Sequence, residues 1–208
     1  MRHVILTLAT TTLLGFAAPT NAQAPAPAKD KDRPAAKAPT GEHAKLAEMI
    51  GDTLVDMSGK KHDTTKVLEG RKNVLIYFTA SWCGPCVRFT PDLVAFANQT
   101  KDAKDFVVIM VGSDRTAKAQ NDYMKKSKMP FYAVPFEAPG GKDIKRAYAG
   151  RGIPNLVILD EEGKALKGSY ETDGRYSPEN NNSYIGPQPV LASFKEMRKN
   201  AKMKGGKG

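Results

Sequence analysis

The 208-residue chain has only two cysteines, one tryptophan and three histidines. Each scarcity excludes something. A structural zinc site takes four ligands, commonly two C-x-x-C pairs or added histidines. Here the cysteines form one pair, Cys83 and Cys86, and His3, His43 and His62 all precede it. No metal site is expected. Long apolar runs are scarce too. Val4 to Ala18 is interrupted by Thr7 and Thr10 to Thr12, and falls short of the roughly 20 residues a membrane span needs. No later stretch is long and apolar enough to cross a bilayer.

That first run reads as a secretory signal peptide. Met1-Arg2-His3 supplies the short positive start and Ala22-Gln23-Ala24 an A-x-A cleavage signal. Residues 1–24 are therefore expected to be removed and the protein exported, to a periplasm or the exterior. Residues 25–42, "PAPAKDKDRPAAKAPTGE", hold no large apolar side chain. Nothing there can be buried to offset the entropy of ordering, so a disordered Pro/Ala/Lys linker is expected. One domain of ordinary size, 43–200, follows, then a basic flexible tail, 201–208. The net charge is +10. Much of it sits near the C-terminus, where Lys195, Arg198, Lys199, Lys202, Lys204 and Lys207 face only Glu196. No base-reading motif accompanies this charge, and no nucleic-acid partner is expected. Such a run could lean on anionic lipid or cell-wall polymer.

Residues 43–50 suit a short helix, and "TLVDMSGKKHDTTKVL" a hairpin turning at Gly59-Lys60. "NVLIYFTA", Asn73 to Ala80, is apolar on both faces, as a central buried strand would be. Val87 to Lys101 repeats Val87, Leu93, Val94, Phe96 and Ala97 at helical spacing. Phe106 to Val111 is a second buried strand, 115–127 and 142–149 are helical, and Asn155 to Asp160 is a third strand whose hairpin partner is "ALKGSY". Residues 171–188 read as a loop and 189–202 as a last amphipathic helix through Val190, Leu191, Phe194 and Met197. The order predicts an α/β sandwich with a mixed central sheet, behind an N-terminal hairpin.

The cysteine pair falls where a buried strand turns into a helix, in "YFTASWCGPC". A staple closing so short a loop adds little stability. A redox pair gains much from the position. Cys83 would cap the helix, where free N–H groups and the dipole favour negative charge, and the thiolate is the attacking form. Cys86, one turn on, lies on the same face and can resolve a mixed disulfide. Pro85 is tolerated in the first turn, where its missing N–H has no partner. Gly84 leaves room for a client disulfide. Trp82 would cover one side of the site, or else pack in the core.

The chain resembles the thioredoxin superfamily. Trp82-Cys83-Gly84-Pro85-Cys86 matches its active-site motif, and Gly152-Ile153-Pro154 matches the segment that carries its cis-proline. "FTPDLVAF", "VVIMVGSDR", "MPFYAVPFE" and "RGIPNLVILDEEGK" resemble the tryparedoxin and nucleoredoxin-like branch, and exported bacterial thioredoxin-like proteins are built alike. The resemblance covers roughly Leu54 to Ser169. It implies a thioredoxin-like sandwich, a Cys83–Cys86 disulfide that cycles with the dithiol, and a cis Pro154 facing the pair. There the backbone of Ile153 would pair with an extended substrate segment. It implies no cofactor. Two departures matter. Tryparedoxins place Pro-Pro between the cysteines. Thioredoxin has a buried Asp five residues before its Trp, and here that position is Tyr77. Water, Glu137 and Asp160 are the remaining choices for a proton acceptor.

Gly84-Pro85 and the Ile before Pro154 resemble the reducing end of a scale running from roughly −270 mV for thioredoxin to roughly −120 mV for the strong periplasmic oxidant. A monomeric thiol-disulfide oxidoreductase that reduces protein disulfides is expected. In an oxidising compartment it would need recharging, which implies a membrane electron donor of the thiol-transporter type. The alternatives are a thiol oxidase or isomerase, or a copper-handling or structural domain on the same fold. A peroxidatic P-x-x-x-T-x-x-C setting is absent. A copper chaperone would want C-x-x-x-C and a distant His, and this spacing is one short.

Overall fold

A computed structural model describes residues 43–205. The expected leader 1–24 and linker 25–42 lie outside them. The chain opens with helix α1 (Ala44–Ile50) and strands β1 (Thr53–Val55) and β2 (Lys61–Asp63). Asp56 makes the turn between these strands, its Oδ1 accepting from Ser58 N, Ser58 Oγ and Lys60 N. The expected hairpin thus exists but ends early. Asp63 caps a helix, α2 (Thr64–Leu68), by accepting from Lys66 N at 3.0 Å. Then follow β3 (Asn73–Thr79), α3 (Gly84–Gln99), β4 (Phe106–Gly112), α4 (Ala117–Lys126), β5 (Tyr132–Ala133), α5 (Gly140–Tyr148), β6 (Asn155–Leu159) and β7 (Ala165–Gly168).

The seven strands form one mixed sheet in the order β2-β1-β5-β4-β3-β6-β7. β3 and β4 pair in parallel with Asn73 opposite Phe106, and β6 runs antiparallel to β3 with Asn155 opposite Phe78. Alternate residues of β3 feed two cores, as the period of two demands. Leu75 and Tyr77 pack with Phe89, Leu93 and Phe96 of α3, while Val74, Ile76 and Phe78 pack with Leu46, Val67 and Ile144 of the helices opposite. This is the expected α/β sandwich. Gly140 is obligatory where α5 meets α1, because a Cβ there would lie 2.0 Å from the Ile50 carbonyl oxygen.

The structure corrects the C-terminal reading. Residues 171–188 are not an open loop. They form a small hairpin, β8 (Glu171–Thr172) and β9 (Arg175–Tyr176), then a 3-10 turn at Asn181–Ser183. Asp173 and Gly174, both at positive φ, make its two-residue turn. The last helix, α6, runs Pro187–Gly205 and takes in residues expected in the flexible tail. Its inner face carries Val190, Leu191 and Phe194, whereas Met197 is exposed. Arg198 seats it from the side, donating from Nε and Nη2 to the two Asp105 oxygens at 2.7 and 2.8 Å. That guanidinium holds the Asp105 carboxyl below the usual carboxylate range. Among the described residues no helix is long and apolar enough to cross a membrane.

Candidate functional site

β3 is buried along its length and ends at Thr79, and α3 starts at Gly84. The four residues between them carry the site. Cys83 N bonds back to Ala80 O, and Cys83 is the N-cap of α3, its sulfur accepting from Cys86 N at 3.2 Å. Cys83 and Cys86 are joined as a disulfide. Cys83 is 5% exposed and Cys86 fully buried beneath it. Of the two cysteines, only Cys83 keeps any contact with solvent. Gly84 and Pro85 are exposed, and a Cβ on Gly84 would meet only Arg88 Nη1, at 3.6 Å. Pro85 sits in the first turn as expected.

Trp82 does not pack in the core. It is 61% exposed, with Nε1 donating to Ser113 O at 3.0 Å. The hydrogen bond fixes the ring beside the disulfide with a face open to solvent. Across from it, the Ile153–Pro154 peptide is cis. Pro154 is buried, and Ile153 packs against Ala80, Cys83 and Cys86. Ile153 O lies 3.6 Å from Cys83 Sγ. All seven residues expected at the site, from Trp82 to Cys86 together with Ile153 and Pro154, thus meet at the carboxyl end of β3.

The acid missing under the motif is replaced by a cluster of hydroxyls. Tyr77 and Thr90 both bond to Cys86 O, at 3.3 and 2.9 Å, and to each other at 2.9 Å. Thr79 donates to Tyr77, and Tyr123 joins Thr90 at 2.6 Å. Burial pushes the Tyr77 hydroxyl well above the ordinary tyrosine value, so that group stays neutral. It anchors the first turn of α3. Neither acid considered from sequence takes part. Glu137 is exposed in the turn after β5, and Asp160 makes the β6–β7 turn at the far end of the sheet.

Sequence reasoning missed Asp114. This residue follows β4 and is 7% exposed, and its Oδ1 accepts from Ser81 N at 2.9 Å and Ser81 Oγ at 2.5 Å. It pins the residue before Trp82. Lys145, whose Nζ donates to Gly112 O at 2.7 Å, carries a positive charge nearby. Burial lowers the pKa of that ammonium and the Asp114 charge opposes the drop. The signal was an acid two residues past the end of an apolar strand, which also fits an ordinary turn. Asp114→Ala leaves the Ser81 groups without their acceptor. We predict a stability loss of about 1–3 kcal/mol, read by thermal unfolding, together with slower disulfide exchange. An unchanged melting point would show the contact to be idle.

The histidines serve elsewhere. His43 Nε2 bonds to Arg71 O, and His62 Nε2 lies 2.8 Å from Asp56 Oδ2. Among the described residues no group of three or more His, Cys, Asp and Glu side chains could hold a metal.

A buried strand, a disulfide capping the next helix and a cis-proline loop against its outer sulfur define a thioredoxin-like redox module. Comparison with known proteins agrees. Residues 70–165 match the model of a family described as thioredoxin-like. The chain is 37% identical over 125 residues to a probable nucleoredoxin 1 from Arabidopsis thaliana, covering 60% of this chain and 21% of that one. It is 33% identical over 99 residues to tryparedoxin from Trypanosoma brucei brucei, covering 47% of this chain and 67% of that one. The solved thioredoxin from Wuchereria bancrofti superposes with a TM-score of 0.55 at 28% identity, over 72% of this chain and 97% of that one. The chain belongs to the thioredoxin-like family. It spans only between 21% and 34% of the length of the nucleoredoxins it matches. One similar solved structure, a tryparedoxin II at 28% identity and a TM-score of 0.52, is a complex with glutathionylspermidine.

Proposed function

We propose that the protein reduces protein disulfides through a Cys83/Cys86 cycle. The observation that carries this reading is the position of the pair, with Cys83 capping α3 under the Cys86 N–H and Cys86 buried beneath. In the reduced protein the helix terminus favours the Cys83 thiolate. That thiolate attacks one sulfur of the client disulfide, and the other client sulfur leaves as a thiolate. Cys86 then attacks Cys83 Sγ, the mixed bond breaks and the second client thiol is released. Two electrons have passed to the client, and the protein holds its disulfide. A dithiol donor must restore it by the same exchange in reverse.

The reductive direction rests on Gly84-Pro85 between the cysteines. Export rests on the residue pattern of 1–24, and an exported reductase calls for a membrane donor of the thiol-transporter type. Equilibration in glutathione and dithiothreitol buffers tests the direction. We predict a potential near the thioredoxin end of the scale, about −270 mV. A value above about −180 mV, where protein disulfide isomerase lies, would reassign the protein as an oxidase or isomerase.

A further inference from the structure

Beyond β7 the chain returns to the site from behind. Ser169 is fully buried and bonded to Leu156 of β6, and Ile185 N bonds to Ser169 O. Tyr170 and Tyr184 face each other as an isolated bridge with ring centroids 5.1 Å apart. Both hydroxyls reach the cis-proline loop. Tyr170 OH accepts from Gly152 N at 2.6 Å and donates toward Gly152 O at 3.2 Å. Tyr184 OH donates to Pro154 O at 2.8 Å. With its amide oxygen turned toward Arg151, Asn181 accepts from that guanidinium at 3.1 and 3.2 Å.

The loop is shaped to receive these groups. A Cβ on Gly150 would lie 2.2 Å from the Tyr170 ring, and one on Gly152 would lie 3.1 Å from its hydroxyl. Tyr170 itself is 3% exposed. The polar backbone atoms flanking Ile153 are thus taken by two tyrosines, while the Ile153 N–H has no hydrogen-bond partner among the described residues and Ile153 O lies against Cys83 Sγ. An unmade backbone donor beside the reacting sulfur is an edge to which an extended chain can bond.

We propose that Tyr170 and Tyr184 are positioning residues for disulfide exchange. Their hydroxyls hold the Gly152–Pro154 backbone so that Ile153 presents its N–H and C=O to the main chain of a protein client beside Cys83. Both tyrosines lie beyond the residues 70–165 that match the family model, in the C-terminal segment. The inference rests on the exchange function proposed above. It adds that client docking, and not the chemistry of the sulfur, depends on the segment.

The test uses the full chain, pre-reduced, with single-turnover oxidation read by acid quench, alkylation and mass. One substrate is insulin. The other is 2-hydroxyethyl disulfide, which has no peptide backbone. Tyr170→Phe and Tyr184→Phe keep the rings and remove the hydroxyls. Each should lower the rate constant toward insulin about two- to tenfold, the range set by one neutral hydrogen bond. Neither should change the constant toward 2-hydroxyethyl disulfide or the pH profile of Cys83 alkylation. The Gly152 amide of Tyr170→Phe should exchange with deuterium about tenfold faster. Equal losses toward both substrates, or an unchanged insulin constant in the double variant, would overturn the clamp while leaving the exchange function standing. So would unchanged Gly152 exchange. A wild-type protein that reduced neither substrate would overturn both readings.

Discussion

A Cys83→Ser variant is expected to reduce insulin no faster than dithiothreitol alone, whereas Cys86→Ser should accumulate a covalent adduct with its client. The reason is the asymmetry of burial. Cys83 is the only one of the two cysteines with any exposure, and a serine hydroxyl there is not ionised near neutral pH and cannot open a disulfide. Cys86 is fully buried and is the only other thiol in the chain, so without it nothing internal can resolve the mixed bond. Insulin turbidity reads the first variant and a non-reducing gel the second. Residual turnover in Cys83→Ser would remove the basis of the proposed cycle.

The largest effect on stability is expected at Phe194. Its side chain is fully buried in α6 and meets Phe106 edge-on at 5.1 Å and Phe96 at 6.0 Å. Those two rings stack on each other at 5.5 Å, with the Arg198 guanidinium 4.6 Å over Phe106. Phe194→Ala empties the centre of this cluster. The cost should be about 3–5 kcal/mol, seen as a fall in melting temperature of about 10 °C or more. Met197→Ala, three residues on and 37% exposed, should cost less than about 0.5 kcal/mol. Equal shifts would mean that α6 does not seal the core.

Much of the fold could be read from the chain because its inner strands are unambiguous. β3, β4 and β6 are apolar on both faces, and the cysteine motif stands between a strand and a helix. On α3, Leu93 and Phe96 are buried as expected and Val94 and Ala97 pack partly against the same core, but Val87 does not. The buried set is Cys86, Phe89, Thr90, Leu93 and Phe96, whereas Val87 is 46% exposed. A cysteine and a threonine do not register in an apolar pattern, and Val87 does. α2, with five residues, is too short to show a period. β5 has two residues and exists because β4 and β1 flank it. The hydroxyl cluster under Cys86 draws on positions 77, 79, 90 and 123, which only the folded chain brings together. Tyr170 and Tyr184 were hidden for the same reason, one at the end of the expected strand "ALKGSY" and the other inside a polar stretch that reads as a loop.

His43 N bonds to Glu161 O in the β6–β7 turn, and the His43 ring bonds to Arg71 O just before β3. β3 then runs its seven residues, about 23 Å, toward the disulfide. The described chain therefore enters at the pole opposite its working face. Any load transmitted through residue 43 pulls the molecule from behind. A protein moored from that side would swing with its reactive sulfur outward, like a buoy with its lamp on top, and would need no reorientation to meet a passing client.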